Sequence, residues 1–118
     1  MPRHTLTASA HAVTGEFTGV SIGDLLRLVG APAGDSLRGR ELTDYILVEA
    51  RDGYRVVFAL AELDGGFTDR LTLLADHKDG KAIAAVDGPF QLIVPGEKRP
   101  ARWVRQVTRI SLMRAPPA

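Results

Sequence analysis

YILVEARDGYRVVFA, residues Tyr45 to Ala59, holds two runs rich in β-branched and aromatic residues around an Asp-Gly pair. Tyr45 to Ala50 and Tyr54 to Ala59 read as strands, and Asp52-Gly53 as the turn between them. An Asp-Gly pair suits a tight hairpin because both of its central positions favour positive φ. Working outward, Leu60 to Leu63 reads as a helical turn before the Gly65-Gly66 break. Leu71 to Ala75 reads as a strand, and Lys78 to Lys81 as a turn. Asp87-Gly88-Pro89 introduces the apolar run Phe90 to Val94, which Pro95-Gly96 ends, and Val107 to Met113 forms a last strand. Asp52, Asp79 and Asp87 each precede a glycine, so turn formation accounts for them.

Towards the N-terminus, Gly30 to Gly39 is a loop, since Gly, Pro and Asp interrupt every period. Ahead of it, Ser21-Ile22-Gly23-Asp24 fits a capping box. Ile22, Leu25, Leu26 and Val29 then recur at helical spacing, and Gly30 supplies the stop. This predicts a helix packed on a sheet, with Leu25 and Leu26 buried. Arg3 to Ala12 reads as an edge strand. The sum is six or seven strands and one firm helix: an α+β fold on mainly antiparallel or mixed sheet, with residues 1–118 as one domain.

Composition sets the outer limits. At 118 residues with 45% hydrophobic content, the chain buries a core of its own without staples. It contains no cysteine, so it offers no disulfide, thiolate metal ligand or cysteine nucleophile. Net charge is +1, too small a basic excess for a nucleic-acid domain, and no tight duplex binding is expected. No apolar run approaches the roughly 18 residues of a membrane span. The expectation is a soluble protein, cytoplasmic as given, or periplasmic where an export signal has been removed.

Catalytic patterns are few. His4, His11 and His77 are possible metal ligands, but no acidic residue sits near His4 or His11 at ligand spacing, and exposed histidines explain the three better than a metal site. No serine sits in a GxSxG elbow, and no GxGxxG or GxxxxGK[ST] loop occurs. Glu62 and Asp64 follow a strand without a pattern that marks acid–base chemistry. The feature that stands out is PGEKRPARWVRQVTRI, Pro95 to Ile110, which gathers five of the 15 Lys and Arg residues and the only Trp. Guanidinium forks suit phosphate or carboxylate. Lys98, Arg99, Arg102, Trp103 and Arg105 are therefore the candidate binding residues, with Arg109 completing the run. The competing reading is a solvated basic edge.

Three segments in order, FTGVSIGDLLRLVGAP, VEARDGYRVVFALAELD and DGPFQLIVPGEKRPARWVRQVTRI, resemble the sulfite-oxidase-type molybdopterin-binding domain, and in particular its small bacterial members. The likeness runs from about Phe17 to Leu112. It implies that Phe90 to Val94 form a core strand. It also places Ala101, Arg102, Val104 and Arg105 beside the cofactor, with cations there helping to hold the molybdopterin phosphate. Gly19, Val20, Asp24, Leu25 and Leu26 would belong to the helix supporting the pocket. Full members carry an N-terminal half whose cysteine ligates molybdenum, and this chain has no counterpart to either.

The resulting expectation is a noncatalytic or degenerate molybdopterin-fold domain that binds a phosphorylated or otherwise anionic ligand, with molybdenum at background level. A molybdopterin-dependent oxidoreductase component and a protein-interaction module without a small ligand are the alternatives. A homodimer or a redox partner protein is the partner expected under these readings.

Overall fold

The computed structural model describes residues 1–10 and 12–118. Strand β3 (Asp44–Ala50) is the centre of one sheet, and its alternation is strict. Asp44, Ile46, Val48 and Ala50 are buried, while Tyr45, Leu47 and Glu49 are half-buried. Period-2 alternation puts the first set on one face of the sheet. Strand β4 (Arg55–Ala59) returns antiparallel to it, with Ile46 opposite Phe58 and Val48 opposite Val56. The turn between them departs from the expected one. Gly53 alone has positive φ, at 90°, whereas Asp52 acts through its side chain, accepting from the Tyr54 N–H at 3.0 Å. Strand β8 (Val107–Arg114) pairs antiparallel along the other side of β3, giving the order β4-β3-β8.

The second sheet takes strands from both ends of the chain. Strands β1 (His4–Ala10) and β2 (Val13–Ser21) form a hairpin, and β2 then pairs with β5 (Leu73–Lys78). Strands β6 (Lys81–Ala82) and β7 (Gln91–Ile93) both pair with β5. Between β5 and β6, Asp79 and Gly80 both take positive φ, 52° and 80°, as the Lys78 to Lys81 turn requires. All strand pairings among the described residues are antiparallel. The eight strands among the described residues exceed the expected six or seven because β2 and β6 add to them; β5 also lies later than Leu71 to Ala75.

One α-helix, α1 (Ile22–Leu28), is found among the described residues. Ser21 Oγ accepts from the Asp24 N–H at 3.0 Å, half of the expected capping box. The Asp24 carboxylate is bonded to Arg27 instead, at 2.7 Å. Gly30, at φ 79°, closes the helix, with the N–H groups of Gly30 and Ala31 donating to the Arg27 and Leu26 carbonyls. Ile22 and Leu26 are buried, but Leu25 is only half-buried and Val29 is 69% exposed. The expected stripe is therefore narrower, because the helix is two turns long and Val29 already lies past its end.

Residues of both sheets share one hydrophobic cluster. Phe17, Ile22, Ile46, Val48, Phe58, Leu73, Leu92, Ile93, Val94 and Val104 are among its most deeply buried members. Burying a side chain of this size is worth roughly 1.5–3 kcal/mol. The structure is thus α+β and mainly antiparallel. No helix among the described residues is long and apolar enough to cross a membrane.

Candidate functional site

The loop from β7 to β8 carries the candidate residues, and its backbone is pinned at several points. Gly96 takes positive φ, 86°, directly after Pro95. Pro100–Arg102 is a single 3-10 turn. Beyond it, the Leu92 N–H donates to the Val104 carbonyl at 2.9 Å, and the Tyr54 hydroxyl donates to the Ala101 carbonyl. Trp103 is the anchor. It is 5% exposed, donates its indole N–H to the Val94 carbonyl at 3.1 Å, and meets Phe17 edge-on with centroids 5.7 Å apart. Edge-to-face geometry suits the ring quadrupoles.

Arg102 turns inward from this loop. Its guanidinium lies 4.0 Å from the Phe58 ring centroid, a cation–π contact. Nε donates to Glu97 Oε1 at 3.1 Å, and Nη1 to the Val57 carbonyl at 3.0 Å and Glu62 Oε2 at 3.4 Å. Nη2 donates to Glu62 Oε1 at 2.9 Å and to Glu97 Oε2. A guanidinium has five N–H donors, and here each has an acceptor within the protein. Two carboxylates, one backbone carbonyl and an aromatic face thus converge on one cation.

The electrostatics follow from this packing. The Glu97 hydrogen bond foremost, with those of Glu62, raises the Arg102 pKa above its ordinary value against the opposing effect of burial. Burial works against the charge on Glu62, but the Arg102 hydrogen bond, the Ala59 N–H and the Arg102 and Arg70 charges prevail. Its carboxyl is held below the usual range. Buried Asp44 is likewise lowered, chiefly by its hydrogen bond from Arg114.

Both carboxyls have folded values below their unfolded ones, so their ionised forms favour the folded state. That contribution is complete above the ordinary carboxylate range and lost as pH falls through the depressed values. Urea unfolding is therefore expected to show a constant contribution near neutrality and falling stability from about pH 4.3 downward. Glu62→Gln should flatten part of this decline. An unchanged acid limb in that variant would show that Glu62 carries none of it.

The other candidates lie apart from Arg102. Lys98 and Arg99 are exposed and pair with no carboxylate among the described residues. Arg105 is also exposed, with its Nη1 3.8 Å from Asp87 Oδ1. Arg105 and Trp103 line one groove of about 290 Å³, together with Asp52, Tyr54, Pro100 and Ala101. Lys98 and Arg99 precede Pro100 in the chain but are not among the residues that line the groove. The structure thus joins Trp103 and Arg105 in a groove and directs Arg102 into the protein. Glu97, five residues away in the same stretch, completes the Arg102 cluster together with Glu62 and Phe58, which carry no signal in the sequence because Glu62 and Arg102 are 40 residues apart.

The histidines form no centre among the described residues. His4 Nε2 is 3.9 Å from Asp24 Oδ2, and His77 Nδ1 is 2.8 Å from Asp76 Oδ1. No group of three His, Cys, Asp or Glu residues able to hold a metal occurs among the described residues. His11 lies outside them.

The molybdopterin implied by the resemblance can be tested against these donors. The chain supplies no thiolate for molybdenum. The guanidinium best placed by the resemblance has every donor occupied by protein. The groove offers a single cation, Arg105, with the Asp52 carboxylate on the same lining. The residues of this chain by themselves do not fit the molybdenum-bearing cofactor.

No curated protein matches the chain. A family model described as "Oxidoreductase molybdopterin binding domain" matches residues 3–118, extending the likeness to include β1 at one end and all of β8 at the other. With that coverage, the chain belongs to the oxidoreductase molybdopterin-binding domain family.

Proposed function

We propose that this chain is a noncatalytic binding member of its family, taking a phosphorylated or otherwise anionic ligand at the groove beside Arg105. The observation that carries the reading is the division of labour among the cations. Arg102 is spent on Glu62 and Glu97, whereas Lys98 and Arg99 have no carboxylate partner among the described residues. A cation without an internal partner forms a charge-assisted hydrogen bond to a ligand at no cost in broken ion pairs. In this reading Arg102 and Trp103 hold the loop, Arg105 meets the anion in the groove, and Lys98 and Arg99, outside its lining, add longer-range attraction. The absent thiolate supports binding over redox chemistry, because fold membership does not carry activity where donors are incomplete.

Thermal melting tests this directly. Phosphate, pyrophosphate and nucleotides are compared with chloride at matched ionic strength, which separates binding from screening. A ligand at a hundred times its Kd adds about 2.7 kcal/mol of stability. The expected result is an upward shift in Tm that the Lys98→Ala/Arg99→Ala/Arg105→Ala variant loses while melting normally without ligand. Anions that all behave like chloride would sink the anion site. Molybdenum is expected at background level in protein from a cofactor-competent host. Near-equimolar metal with extractable pterin would instead establish a loaded oxidoreductase component.

A further inference from the structure

We propose that the cleft between α1 and β8 binds a small, uncharged, apolar molecule about the size of two fused aromatic rings. Both sheets contribute to its lining, Leu74 from β5 and Val107 and Ile110 from β8. Leu25 and Leu26 of α1 add to it, so no single element closes the space. Its volume is about 300 Å³. An apolar cavity of about 150 Å³ stays dry and takes up benzene, so this cleft has room for about two such rings. Small-molecule sites begin at about this size and are lined mainly by hydrophobic side chains.

Burial along the lining is graded, as in a pocket rather than on a flat face. Ile22 and Leu26 are buried, and Leu25, Leu74, Val107 and Ile110 are half-buried. Phe90 and Val29, at the mouth, reach 43% and 69% exposure. The walls are also held in place by backbone bonds. The Val107 N–H donates to the Phe90 carbonyl at 3.0 Å, and the Ala31 N–H to the Leu26 carbonyl at 3.1 Å. A site built in advance loses little freedom on binding. Water inside it meets few polar side chains, so an apolar occupant displaces that water favourably.

The lining selects its occupant by what it withholds. Arg109 is the one charged residue in it, but Arg109 and Ile110 are successive on β8 and so point to opposite faces. The Arg109 guanidinium pairs instead with Glu49 on β3, its Nε 4.0 Å from Oε2. Thr108, the other polar side chain, donates its hydroxyl to the Glu49 carbonyl at 3.2 Å. The lining therefore holds no unpaired side-chain charge, and burying an ionised ligand group there is costly. Scale argues against a protein partner. Ten residues line the cleft, against about 20–30 on each side of a stable interface. None of them lines the Arg105 groove, so this site stands or falls separately from the anion site.

The probe is naphthalene, titrated onto the full chain and followed by backbone amide shifts, with naphthoate as its charged counterpart. Saturable shifts are expected within the aqueous solubility of naphthalene, confined to α1, Phe90 and the first half of β8. Naphthoate is expected to bind about tenfold more weakly or worse. Leu25→Trp fills the cleft and should weaken naphthalene binding about tenfold or more. Val29→Asp changes an exposed position and sets a carboxylate at the mouth, which should also weaken binding. It decides the matter should the tryptophan variant not fold. The proposal is overturned by the absence of saturable shifts, by naphthoate binding as well as naphthalene, or by affinity indifferent to the substitutions. So would a concentration-dependent dimer that shifts the same amides without probe, since a second copy would then be the occupant.

Discussion

Gly19→Ala is expected to cost at least about 3 kcal/mol, the upper end of overpacking penalties. A Cβ at Gly19 would stand 2.0 Å from the Leu74 carbonyl oxygen and 2.7 Å from Ala75 Cα. Both atoms belong to the β5 backbone, which is fixed on both sides by β2 and β7. The strand register also shifts between Thr18 and Gly19, so the close approach is built into the pairing. Reduced freedom of the unfolded chain would return only about 0.4–1 kcal/mol, and the clash wins. Gly15 is the natural control on the same strand. Its Cβ would meet Lys78 Cε at 2.7 Å, the movable end of a flexible side chain. Urea denaturation of both variants should show a severe loss for Gly19→Ala and a small one for Gly15→Ala. Equal costs would refute the account.

The second large effect is expected at Arg102. Replacing it with alanine leaves Glu62 and Glu97 facing one another without their shared cation and strips the charged cover from Phe58. Breaking a fully dry pair by removing one partner costs 3–5 kcal/mol. With the Arg102 side chain 24% exposed, solvent screening reduces the expectation to about 2–3 kcal/mol. Arg102→Lys should recover only part, because an ammonium cannot grip two carboxylates and a carbonyl in one plane. The double variant Arg102→Met/Glu62→Gln should be less destabilised than the sum of its single changes, the signature of a coupled pair. Additive losses would show that the cluster contributes no mutual stabilisation.

What could be read in the sequence was local. The β3–β4 hairpin, the capped start of α1 and the final strand each announce themselves within a dozen residues, through turn chemistry or apolar spacing. Strand β2 does not. Its inward positions are Gly15, Phe17, Gly19 and Ser21, so three of the four lack the apolar side chain on which a period-2 reading depends. Small residues stand there because β5 and the capped helix start come too close for larger ones. Strand β5 misled for the opposite reason. Its second half, Asp76-His77-Lys78, is polar, yet ladder bonds to β2 and β6 extend the strand through it. The basic stretch was legible as a cluster but not as a division between one internal cation and four at the surface. That division depends on Glu62, which no spacing rule connects to Arg102.

The burial of Trp103 gives the protein a built-in optical reporter. It is the only indole in the chain, and it sits between Phe17 of one sheet and the backbone that carries the candidate loop. Emission excited at the red edge of protein absorption therefore comes from this single position. Its colour records whether the loop is seated on the core, and its intensity records the approach of any quenching group to the groove wall. A spectroscopist need attach no dye, because the residue that fastens the loop also illuminates it.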